Sequence, residues 1–123
     1  RIALVHVMDD AGSYRVSEEL DELAHIEHGT ITERDVLRSR ARNILDDAAT
    51  KVVKCTGDRL SREICSGNPT DEIVRFAREN GFDLIVIGSR GVSDFRGLLL
   101  GSVSHKVVQL ADCPCLVVRE TIN

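Results

Sequence analysis

Short apolar runs alternate along this chain with longer stretches in which apolar residues recur every third or fourth position. Ile2 to Val7 (IALVHV) is the first run and reads as a strand. Residues 9–15 (DDAGSYR) are polar and turn-like. From Ser17 to His28, the residues Leu20, Leu23, Ala24 and Ile26 share one side of a short helix that Gly29 would stop. Thr32 has the chemistry of a helix N-cap, with Glu33 and Asp35 in the first turn. That helix carries Val36, Leu37, Ile44, Leu45, Ala48, Val52 and Val53 as its expected core stripe, and Gly57 ends the connection. Leu60 to Ser66 alternates, with Leu60, Arg62, Ile64 and Ser66 on one face and Ser61, Glu63 and Cys65 on the other, as an edge strand does.

Gly67-Asn68-Pro69-Thr70 turns the chain into the next expected helix. Thr70 is its predicted cap, Asp71 and Glu72 suit the positive end of its dipole, Ile73, Val74, Phe76 and Ala77 face inward, and Asn80-Gly81 stops it. Asp83 to Ile87 (DLIVI) follows as a buried strand. A helix from Ser102 places Val103, Val107 and Leu110 on its apolar side, and Pro114 to Val118 closes the chain as a strand with proline at its first position. Strands alternating with helices predict an α/β fold with a parallel sheet.

Chemistry concentrates between the last two strands. Gly88-Ser89-Arg90-Gly91 is followed by nine residues and then Gly101-Ser102, between a strand and a helix. Glycines at such a turn let backbone N–H groups approach an anion with no side chain in the way. The helix that follows offers unpaired N–H groups and the positive end of its dipole. Arg90 adds a cation capable of charge-assisted bonds. This is the physics of phosphate binding. The loop is not a Walker loop, because no Gly-Lys-Ser/Thr occurs, and it lacks the Gly-x-Gly-x-x-Gly of a dinucleotide fingerprint.

Composition narrows the partners. A chain of 123 residues is of single-domain size. Its net charge of −4 argues against nonspecific nucleic-acid binding, which needs a basic face to release counterions. Aromatic residues make up only 3 %, too few to build a platform for stacking bases. No apolar run approaches the roughly 20 residues of a membrane span. Cys55, Cys65, Cys113 and Cys115 form no CxxC pair, so reduced thiols are expected, and Cys113-Pro114-Cys115 reads as the start of a strand rather than half of a metal site.

Other constellations are weaker. Asp21, His25 and His28 would share a helix flank at metal-ligand spacing, against the simpler reading of a solvated charged face. Asp9 and Asp10 read as loop solvation rather than catalysis, and His105 sits one turn after Ser102, close to where phosphates would lie, with a surface histidine the simpler reading than a phosphate contact. No Ser/His/Asp set and no paired carboxylates fall near the loop, where Asp94 is the one carboxylate, so the chain reads as a binder or at most a slow ATPase.

The Gly-x2-Gly-x9-Gly-Ser spacing resembles the nucleotide loop of the universal stress protein family. So do its lead-in DLIVIGSRG (Asp83 to Gly91), the tail GSVSHKVVQLADCPCLVVR (Gly101 to Arg119) and Gly67-Asn68-Pro69 before a helix. The resemblance covers nearly the whole chain and is weakest between residues 9 and 31. It implies an open, twisted, Rossmann-like parallel sheet of the adenine nucleotide alpha hydrolase type, with strand order 3-2-1-4-5. In that frame the opening ALVHV matches the family's second strand, so residues 1–123 form a single domain lacking its N-terminal strand and helix. A rival register makes Ile2–Met8 the first strand and Asp9-Asp10-Ala11-Gly12-Ser13 its turn, but leaves no strand between 14 and 32.

The resemblance further implies a cytoplasmic stress-response domain binding ATP, with Mg or Mn held by the phosphates. The cofactor-binding residues would be Val7, Gly88, Ser89, Arg90, Gly91, Gly101, Ser102 and Val103, with the backbone of Val7 meeting adenine. The family's acidic ribose-binding residue has no match here. A homodimer is expected through the last strand, at Leu116, Val117 and Val118. The alternative is a nucleotide-free interaction or regulatory module of the same fold within a larger protein such as a transporter or kinase. An adenylating transferase ranks third, for want of a catalytic motif.

Overall fold

The first apolar run and the alternating run at 60–66 meet as neighbours. β1 (Ile2–Met8) and β2 (Leu60–Ser66) pair in parallel, from Ile2 opposite Leu60 to Met8 opposite Ser66. In this computed structural model the described residues are 1–9, 32–56, 59–89 and 100–119. The expected helix over 17–28, with Asp21, His25 and His28, lies outside them, as do Arg90, Gly91 and Asp94. The chain forms two compact units, residues 1–68 and 69–123.

In the first unit a parallel pair needs a crossover, and α1 (Glu33–Thr56) supplies it, packing on both β1 and β2. Thr32 caps it as expected. The Asp35 N–H donates to the Thr32 hydroxyl at 3.3 Å, while the Asp35 carboxylate accepts the Thr32 N–H at 3.1 Å and its O–H at 2.6 Å. This is a capping box with Asp in the third helical position. The same bonds hold the Asp35 carboxyl below its ordinary pKa. The buried line of α1 differs from the expected stripe. Ala41, Leu45 and Ala49 are buried at spacings of four, whereas Ile44 and Val53 are exposed, at 51 % and 46 %. Two alanines on that line let the helix backbone sit close to the strands, and the larger residues fall on its flanks.

The second unit repeats the logic. α2 (Pro69–Glu79) leads into β3 (Ile85–Gly88), and α3 (Ser102–Leu110) into β4 (Cys115–Val118). β3 and β4 are parallel, from Ile85 opposite Cys115 to Gly88 opposite Val118. Val74 and Ala77 of α2, Ile85 of β3 and Val107 of α3 form the buried cluster, with Ile73, Phe82, Ile87, Val103, Ala111, Cys113 and Cys115 packed against it. Val107 is fully buried, which contributes about 2 kcal/mol of transfer free energy.

α2 stops by a Schellman motif. The Phe82 N–H donates to the Ala77 carbonyl at 2.9 Å and the Gly81 N–H to that of Arg78 at 3.2 Å. Gly81 takes φ +64°, the left-handed conformation that glycine adopts without penalty. Phe82 then stacks on Phe76, ring centres 5.7 Å apart, adding the apolar contact that accompanies such a stop.

Several expectations shift. α2 opens at Pro69, whose missing N–H costs nothing there, so Thr70 lies inside the first turn and is buried rather than capping. β3 starts at Ile85, not Asp83, and β4 at Cys115, because Pro114 has no N–H and contributes only its carbonyl, which accepts the Ile85 N–H at 3.0 Å. The Asp83–Ile87 run is covered on one face only: Leu84 and Val86 are exposed, at 47 % and 61 %. Leu110 is 54 % exposed, and Ser104 occupies the buried side of α3 with Val107.

His6 sits half-buried in the middle of β1, opposite Ile64, and burial pushes its imidazole below the ordinary value of about 6.5. The folded state therefore disfavours the proton that the unfolded chain accepts. Its contribution to stability is complete above about pH 6.5 and is lost as the pH falls through the window below that value. The urea midpoint should fall between about pH 7.5 and about pH 5.5 and fall less in His6→Asn, as read by circular dichroism.

Candidate functional site

The carboxyl ends of β3 and β4 are where a ligand would meet this sheet. Gly88 ends β3 opposite Val118, and the next residue, Ser89, continues the ladder by donating its N–H to the Val118 carbonyl at 2.8 Å. The Ser89 carbonyl accepts the Gly101 N–H, which brings Ser89 and Gly101 together. The Ser104 hydroxyl, one turn into α3, lies 3.1 Å from both the Ser89 and the Gly101 carbonyl oxygens. Ser89, Gly101 and Ser104 are buried, Val103 is half-buried, and Ser102 is exposed.

Gly101 is the N-cap of α3 in extended conformation, with φ −71° and ψ 165°, and makes no side-chain capping bond. These are backbone angles that any residue can adopt. Its N–H is turned to Ser89, so the open donors begin at Ser102: the N–H groups of Ser102, Val103 and Ser104 have no partner among the described residues. α3 also carries no acidic residue in its first turn, where α1 has Glu33 and Asp35 and α2 has Asp71 and Glu72. The positive end of α3 is left without a counter-charge from its own sequence.

Of the residues expected to bind a nucleotide, the structure gathers Gly88, Ser89, Gly101, Ser102 and Val103 at one strand-to-helix junction. Arg90 and Gly91 lie outside the described residues. Val7 belongs to the first unit, half-buried on β1 opposite Cys65. His105 is exposed and gives its backbone N–H to Gly101. Ser104 was not among the expected residues. Its signal was a hydroxyl on the buried side of α3, three residues before Val107.

A second hollow, of about 190 Å3, lies at the opposite end of β3, between Val74, Ala77, Phe82, Ile85 and Cys113. Arg78 and Asp112 close its rim with an exposed ion pair, which raises the Arg78 pKa and lowers that of Asp112. It sits at the amino ends of the strands, away from the glycine junction. All four cysteines are free. Among the described residues, no three His, Cys, Asp or Glu side chains are grouped to hold a metal ion.

With this geometry in view, comparison with known proteins identifies the relationship. The profile of the universal stress protein family matches residues 1–119. The chain belongs to that family. It is 42 % identical over 86 residues to universal stress protein YxiE of Bacillus subtilis, a match covering 70 % of this chain and 57 % of that protein. The chain spans about half the length of the curated relatives it matches.

The solved structure of MJ0577, a universal stress protein of Methanocaldococcus jannaschii, superposes with a TM-score of 0.74 at 29 % identity, covering 98 % of this chain and 76 % of that one. Two more distant family structures share the fold. One is an Arabidopsis thaliana protein with AMP bound (TM-score 0.59, 21 % identity, covering 97 % of this chain and 63 % of that one). The other is a universal stress protein in complex with cAMP (TM-score 0.59, 22 % identity, covering 98 % of each chain). The α/β Rossmann-like class is therefore that of this universal stress protein domain. No described helix is long and apolar enough to cross a membrane.

The thiols give a test of the local packing. Burial, and then the neighbouring Cys113, push the Cys115 thiol above its ordinary pKa, and its Sγ donates to the Cys113 carbonyl at 3.6 Å. Cys55 is exposed. A brief iodoacetamide pulse at about pH 8 should label Cys55 well before Cys115, as read by peptide mass mapping.

Proposed function

We propose that this domain binds an adenine nucleotide, ATP foremost, with the phosphates at the Gly88–Ser102 loop. The observation that carries the reading is the α3 terminus: three N–H groups with no partner among the described residues, no acidic residue in the helix's own first turn, and a glycine junction pinned at Ser89. A phosphate chain supplies the negative charge that such a terminus lacks. AMP and cAMP in two related structures support the adenine base. In this reading Arg90 and Gly91 belong to the phosphate loop, and Mg or Mn accompanies the phosphates. On the same reading the domain is a nucleotide-dependent regulator in a cytoplasmic stress response and at most a slow ATPase; among the described residues the junction shows no nucleophile-and-base pair.

Mass spectrometry of the denatured purified protein tests occupancy directly, since a tightly held nucleotide co-purifies. The decisive variant is Gly101→Val, which places a branched side chain at a buried cap position. A folded Gly101→Val protein should show no measurable ATP binding by calorimetry. Parent-like affinity in that variant would falsify the assignment.

A second reading, a nucleotide-free interaction module, draws on the bare face of the β3–β4 pair. Val86, Leu116 and Val118 are 61 %, 53 % and 48 % exposed. Absence of any adenine nucleotide from the purified protein, together with parent-like behaviour of Gly101→Val, favours it.

In either reading we propose that two copies associate through Leu116, Val117 and Val118. Among the described residues β4 pairs only with β3, and an uncharged, β-branched edge invites strand addition. Val117→Lys places a charge at that contact. Sedimentation velocity at on the order of tens of micromolar should show a dimer for the parent and a monomer for the variant.

A further inference from the structure

We infer that Ser104 is the positioning residue of the glycine loop: its buried hydroxyl staples the loop's two ends and so fixes the N–H groups that a phosphate would meet. The inference rests on the nucleotide reading above.

Serine inside a helix often bonds back to the carbonyl three or four residues earlier, and that alone is a local habit. Ser104 does this with Gly101, at 3.1 Å. It also lies 3.1 Å from the Ser89 carbonyl, fifteen residues earlier and beyond the end of β3. The side chain points back along the helix toward its N-terminus, which is why a residue one turn inside α3 reaches the start of the loop. Ser104 is 3 % exposed, so this proton is shared between two carbonyls in a place where water does not compete for it.

The Ser89 carbonyl is thus the meeting point of two donors, the Gly101 N–H and the Ser104 O–H. Ser89 is itself tied to β4 through its N–H and the Val118 carbonyl. A continuous chain of bonds therefore runs from β4 through Ser89 to the first turn of α3. The N–H groups of Ser102, Val103 and Ser104, which have no partner among the described residues, are held relative to the sheet by this chain. Losing the hydroxyl loosens the link without orphaning either carbonyl: Ser89 still accepts from Gly101, and Gly101 still accepts the His105 N–H at 3.0 Å. Ser104→Ala should accordingly fold.

The test uses Ser104→Ala, Ser104→Thr and Ser104→Val, the last two matched in shape and differing in the hydroxyl. Nucleotide-free protein is followed by amide hydrogen exchange at Gly101 and His105, whose N–H groups donate to the Ser89 and Gly101 carbonyls, and ATP binding by calorimetry. We expect exchange about tenfold faster in the Ala and Val variants, ATP affinity about tenfold lower in both, and Thr within about threefold of the parent. Ala and Val variants that lose stability but keep parent ATP affinity make Ser104 merely structural and overturn the inference. So does a Thr variant as weak as Val while Ala binds like the parent. If the parent binds no ATP, the nucleotide reading falls. Exchange then decides the staple alone: faster exchange in Ser104→Ala upholds it, and equal rates overturn it.

Discussion

β3 and β4 run parallel, so the chain leaving Gly88 must travel the length of the sheet before it can begin Cys115 alongside Ile85. No tight turn makes that journey, and a helix is the compact way to do it. The helix must start near the end of β3, which brings its N-terminus, the positive end of its dipole, to the carboxyl ends of the strands. The geometry that the proposed phosphate site would use is in this sense a by-product of parallel pairing. What the sequence adds is permission for close approach: glycine at 88 and 101, and no acidic side chain at the start of α3 to occupy the charge.

The hydrogen bonds at Ser89 tie the described ends of this connection together: its N–H donates to the Val118 carbonyl, and its carbonyl accepts from the Gly101 N–H and the Ser104 hydroxyl. A buried intramolecular hydrogen bond contributes about 1 kcal/mol net. In the proposed reading, a ligand that engages the α3 terminus would add to this, because anything binding the folded form alone stabilises it.

Much of this was legible along the chain. Parallel α/β order followed from strand runs separated by helical spacing, Thr32 announced its cap, and Asn80-Gly81 announced the stop of α2. The glycine spacing located the start of α3 at Ser102, while β3 runs one residue further than expected, to Gly88. Other features were hidden for physical reasons. Ile44 and Val53 look like core residues because periodicity counts apolarity, whereas close packing of α1 selects the small Ala41 and Ala49. Asp83 to Ile87 reads as buried on both sides because apolar runs do not reveal which face is covered; in the fold, helices cover Ile85 and Ile87, and Val86 faces out. Ser104 was invisible because a serine in a helix is ordinarily unremarked, and its acceptor at Ser89 is distant in sequence.

That last case bears on how the site is built. Glycines create room, and room alone is conformational freedom that must be taken away before an anion can be met by aligned donors. In the proposed reading the restraint comes from Val118, which receives the Ser89 N–H, and Ser104, which returns to the Ser89 carbonyl. One polar residue, Ser104, thus sits on the side of α3 that otherwise carries Val107 into the core. An apolar residue there would bury more surface and strengthen the core. Keeping a hydroxyl at that position trades a little packing for a defined loop, a trade that makes sense only if the geometry of the loop is what the domain uses.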